Sequence, residues 1–286
     1  MRLNDFNPGS IRVRRGGAGG GLPGGKIGCG GIIVVLLGVL LFGADPAQMI
    51  GMVEGSSPGT QQAGPAASGE TAGEICDDNQ YAMEGCNALA SLDQTWAPLF
   101  QQAGIPFEQP ELVYYQGGTG SACGSASSAM GPFYCPGDQG IYIDTAFYDK
   151  MHRMMGAGGD FARYYVIAHE YGHHIQQLTG VASQIRSAQQ QNPRAANQLQ
   201  VRMELQADCY AGVWAGRNRN LIERGDFEEG MRAAASIGDD TLMRNAGQRA
   251  NPESFTHGTS EQRMQALRLG MESGDDTQCD RIVEMR

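Results

Sequence analysis

Five residues constrain this chain more than any others: His169-Glu170-Tyr-Gly-His173. In a helix, histidines four apart lie one turn above each other, so both imidazoles can reach one ion. The glutamate between them points to the side of the pair, where it can hold and deprotonate a metal-bound water. The surrounding pattern predicts the helix. Phe161, Tyr164, Ala168, Tyr171, Ile175 and Leu178 recur at steps of three and four, and both histidines fall roughly opposite this apolar stripe. Asp160 can cap the start and Gly180 can end the helix.

A hydrolytic zinc site needs a third protein ligand and a position left for water. The segment Glu204-Leu-Gln-Ala-Asp208 offers two carboxylates four apart, hence on one face of a second helix. Leu205, Ala207, Cys209, Val213 and Trp214 around them predict that this helix is buried, and a buried carboxylate needs a partner. Glu204 can bind the metal while Asp208 accepts the other ring N–H of a ligating histidine, fixing its tautomer. The reverse assignment, Asp208 as ligand, stays open. His174 is turned about 100° from His173 and is not expected to be a ligand. His152 lies outside any motif.

These residues resemble the bacterial family named putative neutral zinc metallopeptidases. Further matching stretches are Gly131-Pro-Phe-Tyr-Cys-Pro136, Ile141-Tyr-Ile-Asp144 and Phe255-Thr-His257-Gly-Thr-Ser-Glu-Gln-Arg263. The similarity covers about residues 70 to 286 and the general design of the N-terminus. More widely, the chain is similar to gluzincin-type peptidases, which pair the histidine motif with a downstream Glu-x-x-x-Asp. The resemblance implies zinc at His169, His173 and Glu204, Glu170 as general base, and Asp208 behind a ligand. It also allows His257 a part in stabilising the oxyanion or forming the active-site wall. A purely structural role, fastening the loop to the active-site helix, is the equal alternative for His257. Thr259 and Gln262 read as a capping box for the helix that follows, and Arg263 as a structural ion-pair former.

The 286 residues, 41% of them hydrophobic, suffice for one sizeable core. A formal charge of −10, with no basic patch interleaved with aromatics, argues against a nucleic-acid partner. Residues 1–26 are Gly-rich and basic, and Ile27 to Ala44 carry no charge. This pattern predicts a cytoplasmic tail, a single transmembrane anchor over 27–44, a flexible linker over 45–73 and an extracytoplasmic metallopeptidase domain over 74–286. The expected location is the inner or plasma membrane, with the domain on the periplasmic side. A cleaved signal peptide is the competing reading of the N-terminus. Six cysteines follow the apolar segment, and an oxidising compartment would allow three disulfides. We expect Cys76–Cys86, Cys123–Cys135 and Cys209–Cys279, although six cysteines allow fifteen pairings.

The expected fold is α+β: a mainly helical zincin-like domain with a small antiparallel sheet on the zinc helix, preceded by the transmembrane helix. Helices are expected over 76–103, around both site motifs, and near 227–236 and 260–271. Strands are expected near 112–115 and 140–144. The sheet edge near Phe133–Tyr134 or Tyr142 can take an extended peptide by strand addition. The expected function is a membrane-anchored zinc endopeptidase acting on protein or peptide substrates. The alternatives are a non-catalytic zinc-binding envelope protein and a zinc hydrolase of a cell-wall amide. Oligomeric state is not encoded in any pattern found.

Overall fold

The computed structural model describes residues 1–17, 69–155 and 159–284. In chain order its strands are β1 (Val13–Arg15), β2 (Glu111–Tyr115), β3 (Gly118–Ser121), β4 (Gly124–Ser127), β5 (Phe133–Cys135) and β6 (Gly140–Asp144). Its α-helices are α1 (Ala72–Cys76), α2 (Gln80–Ala103), α3 (Ala146–Met155), α4 (Asp160–Leu178), α5 (Val181–Gln191), α6 (Ala196–Arg217), α7 (Asp226–Ser236), α8 (Asp239–Asn245), α9 (Ser260–Ser273) and α10 (Thr277–Val283).

Helix α4 carries the histidine motif and lies at the centre. Its apolar stripe is buried as expected, but so is its opposite face: His169 and Glu170 are only 7% and 8% exposed. The cover is α6, and glycine lets it come close. A Cβ on Gly172 would stand 2.8 Å from Ala207 Cα and 2.9 Å from its carbonyl oxygen, so the two backbones cross in contact. Gly172→Ala should therefore push the helices apart, cost about 1–3 kcal/mol as overpacking does, and weaken metal binding. Thermal unfolding and a zinc titration check this; wild-type values in both would refute the crossing. Helix α9 meets the other side of α6 by the same device. A Cβ on Gly270 would fall 2.0 Å from the Cys209 carbonyl oxygen, and one on Gly212 2.2 Å from that of Leu267. Both halves of the capping box at Thr259 and Gln262 form and fix where α9 begins.

Helix α4 begins one residue earlier than expected, at Asp160 itself, and Gly159 is the N-cap. The expected helix over 76–103 is two helices, because Asp77-Asp78-Asn79 turns the chain and Asn79 caps α2 by accepting from the Ala82 N–H.

The sheet departs from expectation. It is four-stranded in the order β1-β2-β6-β5; β1, β2 and β6 are parallel, and only β5 runs antiparallel to β6. The small antiparallel sheet expected is thus corrected to a mixed one, beside a separate β3–β4 hairpin in the Gly/Ser-rich stretch. Tyr142 lies on the interior strand β6 and is not an edge residue, whereas Phe133 and Tyr134 lie on the outer strand β5.

The membrane topology is also corrected. Among the described residues no helix is long and apolar enough to cross a membrane. The segment 27–44 and most of 45–73 lie outside the described residues. More directly, residues 1–17 belong to the same body as the domain. Strand β1 pairs with β2, the Met1 side chain is 1% exposed, and the Met1 amino group lies 2.7 Å from Asp226 and 3.1 Å from Asp160 at the start of α4. An N-terminus in the cytoplasm with the domain across a bilayer is incompatible with that packing. The transmembrane element of the fold class and the single-pass localisation are therefore withdrawn.

Three disulfides join Cys76–Cys86, Cys123–Cys135 and Cys209–Cys279, the expected pairs. The third closes 70 residues and fastens α10 to α6 one residue after Asp208. Loop closure of that length is worth about 4 kcal/mol in the chain-entropy account.

Asp93 on α2 braces α4 from below. It accepts from the Tyr171 hydroxyl at 2.7 Å and from Gln109 Nε2 at 2.9 Å. Burial pushes its carboxyl up to about 7, and the two hydrogen bonds only partly oppose this. A carboxyl raised on folding holds its proton in the native state where the unfolded chain has lost it. Its contribution is complete below about pH 4 and is lost as pH rises through about 7. The melting temperature of the wild type minus that of Asp93→Asn should fall between about pH 4 and 7 and level off above; a constant difference would exclude this role.

Candidate metal centre

One turn of α4 and one turn of α6 face each other across the Gly172–Ala207 crossing, which brings His169, His173 and Glu204 together. One donor atom from each lies within 4.8 Å of the others. His169 Nε2 is 3.2 Å and His173 Nε2 is 3.4 Å from the same oxygen, Glu204 Oε2. Donors about 2.1 Å from a tetrahedral ion stand about 3.4 Å apart, so this spacing fits zinc. The donor chemistry, two imidazoles and one carboxylate, also fits.

Asp208 lies on the far side of the His169 ring. Its Oδ1 is 2.8 Å from His169 Nδ1, and it accepts from the Tyr165 hydroxyl at 2.5 Å. Arg263 on α9 donates from Nε to Oδ2 at 2.8 Å and from Nη2 to Oδ1 at 2.9 Å, a bidentate pair with both partners buried. With its oxygens so engaged, Asp208 is not positioned as the third ligand; Glu204 is. The fork of Arg263 also bears on the Tyr165 oxygen at 3.2 Å.

Electrostatics follow this geometry. Burial opposes a charged His169, but Asp208 and Glu204 outweigh it and push the imidazole up to about 10. His173 is raised by Glu204 against the same opposition from burial. Burial disfavours the Glu204 carboxylate, yet His173, His169 and His257 hold it well below the usual range. Asp208, likewise buried, is held down to about 2 by Arg263 and His169. In the metal-free protein protons and a cation thus compete for one anionic cage.

Glu170 behaves differently. Burial raises its carboxyl, with the two motif histidines pulling the other way. No hydrogen bond from another described residue reaches it, and its oxygens are not among the buried polar atoms without a partner. Its carboxylate is therefore not committed to a hydrogen bond with another described residue, which leaves it able to accept a proton.

His257 is 5% exposed on the loop that leads into α9. Its Nδ1 lies 3.0 Å from Asp239 Oδ1, while Asp239 Oδ2 accepts the backbone N–H groups of Thr256, His257 and Gly258 at 2.7, 2.7 and 3.2 Å. The loop is packed on α6 beside the ligand turn, at Val201 and Leu205. His257 thus fastens the loop through Asp239 and lies near enough to Glu204 to help hold its carboxylate down. Asp239 escaped the sequence reading, because it precedes His257 by 18 residues without any motif spacing; its one signal was its place as the first residue of a short helix after Gly238. His174 is not part of the cluster. It donates from Nε2 to the Glu108 carbonyl at 2.7 Å and accepts from the Tyr134 hydroxyl at 3.0 Å, riveting β5 to α4. Burial drives it down to about 4, which keeps it neutral. His152 is exposed, away from the site.

Comparison with known proteins agrees with the chemistry of this cluster. The family described as "Putative neutral zinc metallopeptidase" matches residues 4–282. "Uncharacterized protein YpfJ" of Escherichia coli K12 is 43% identical over 268 residues, 93% of this chain and 90% of the relative. "Uncharacterized protein Rv2575" of Mycobacterium tuberculosis is 38% identical over 220 residues, covering 71% and 72% of the two chains. No solved structure matches.

Proposed function

This chain belongs to the putative neutral zinc metallopeptidase family, and we propose that it is a zinc-dependent endopeptidase in which Glu170 is the general base. The observation that carries this reading is the pairing of a buried Glu170, free of hydrogen bonds to other described residues, with three donors within 4.8 Å of one another. A structural zinc site has a closed shell and no use for a base. Bound zinc would be held by His169, His173 and Glu204 and would supply Lewis-acid polarisation of the scissile carbonyl and of water.

The residues divide the remaining work. Glu170 takes a proton from the attacking water and returns it to the leaving amine. His257, held through Nδ1 by Asp239, offers Nε2 toward the oxygen on which negative charge develops. Asp208, backed by Arg263 and Tyr165, keeps His169 in the tautomer that presents Nε2 to the metal. The outer edge of β5, held on α4 through Tyr134 and His174, offers backbone groups to an extended peptide. That edge favours a peptide over a cell-wall amide as substrate.

The test uses the full chain, because residues 1–17 are part of the fold. Zinc-loaded protein is incubated with a diverse peptide library and the products are read by mass spectrometry. Internal cleavage that stops on zinc removal is expected. Intact peptides in the presence of stoichiometrically bound zinc would overturn the endopeptidase reading.

A further inference from the structure

The two metal-binding histidines are supported from behind by different chemistry. His169 has a carboxylate and an arginine. His173 has an amide, Gln176, whose Oε1 is 2.9 Å from His173 Nδ1. Gln176 is 0% exposed, one turn further along α4. Which end of this amide faces the histidine is fixed by its other contacts. Gln176 Nε2 is 2.7 Å from the Met203 carbonyl, which can only accept, and 2.9 Å from Gln206 Oε1. The nitrogen is therefore committed to α6 and the oxygen to His173. An oxygen there requires a proton on Nδ1, which leaves the Nε2 lone pair for the cluster. Gln206, also 0% exposed, donates in turn to Asp280 Oδ1 at 3.4 Å, an acceptor when ionised.

Glu204 is supported in the same manner. Gln200 Nε2 donates to Glu204 Oε1 at 2.8 Å, and Gln200 Oε1 accepts from Gln189 Nε2 at 3.3 Å. Gln189 Nε2 also reaches the Ala196 carbonyl at 3.1 Å, which fixes its own orientation. The result occupies Oε1 and leaves Oε2 as the oxygen both histidines face.

Charge explains why amides suit these places. Asp208 and Arg263 cancel, so among the residues around the two histidines Glu204 and an ionised Glu170 carry two formal negative charges, the number one divalent cation balances. A carboxylate in place of Gln176 or Gln200 would add a buried charge without a partner.

The geometry points to Gln176 as a positioning residue for the metal centre: it fixes His173 with Nδ1 protonated and Nε2 free, through an amide anchored on Met203 and Gln206, with Gln200 fixing Glu204 in parallel. The inference rests on the metal-site reading above. Its test is zinc affinity by chelator competition for the full-length wild type, Gln176→Ala and the near-isosteric Gln176→Met, each with the melting temperature of the metal-free form. Affinity is expected to fall about 10- to 100-fold in both variants. A residue that only fills the core would lower the melting temperature and leave affinity within twofold; that result in a folded variant overturns the assignment. Failure of the wild type to bind zinc would instead refute the reading on which the inference rests. Should both variants fail to fold, the His173 imidazole N–H of zinc-loaded wild type decides by NMR. Slow exchange with solvent and contact with the Gln176 side chain are expected, and exchange as fast as that of exposed His152 excludes the bond.

Discussion

Glu170→Gln is expected to lower kcat by roughly 10²–10⁴-fold while leaving zinc affinity near wild type. Glutamine has the same shape, but its amide cannot take a proton. The substitution breaks no hydrogen bond to another described residue, because none reaches Glu170. It also removes a buried carboxyl whose ionisation burial already disfavours, so the variant should unfold at the same temperature or higher. His169→Ala is the contrast: it removes a donor and should lose metal and turnover together. Steady-state kinetics and zinc content on the same preparations check both. Near-wild-type turnover in the Glu170→Gln variant would eliminate Glu170 as the base.

Arg263→Met should be the most destabilising of the single substitutions considered, by about 3–5 kcal/mol. The side chain is 2% exposed and its partner Asp208 is 0% exposed. Methionine fills much of the volume but leaves a buried carboxylate with only His169 and Tyr165. Breaking one half of a buried pair is far costlier than replacing both halves, so Arg263→Met combined with Asp208→Asn should recover part of the loss. Denaturant unfolding of the metal-free proteins measures it. A cost below about 1 kcal/mol would show the pair to be as weak as a surface ion pair.

The cluster was legible because its signals are periodic. His169 and His173, and Glu204 and Asp208, are each one helical turn apart, and periodicity survives without tertiary knowledge. The disulfides followed from local spacing in two cases and from one long-range guess in the third. The amides were not legible: Gln176 and Gln200 sit among several other glutamines in polar stretches, and only the α4–α6 crossing shows which are buried. Asp239 was missed because its partner lies across a loop. Strand direction failed for a different reason. The short, largely apolar runs Leu112–Tyr115 and Gly140–Asp144 read as strands, but whether they run parallel depends on the path of the chain between them. The first 17 residues misled most. Val13-Arg14-Arg15 in a basic, Gly-rich setting looks like a tail, yet Arg14 finds Glu111 at 2.6 Å and its strand completes the sheet.

That strand has a consequence for how the molecule is made. Arg14 and Glu111 are separated by 97 residues, so β1 leaves the ribosome long before its partner exists. Pairing across such a separation is closed late, since the entropy of the intervening loop must be overcome first. The metal-site helices α4 and α6, by contrast, are separated by α5, and His169 and Glu204 lie 35 residues apart, a much shorter loop to close. Until β1 docks, β2 shows an open edge, the kind of surface on which chains associate with one another. Shortening the N-terminus would make that interval permanent.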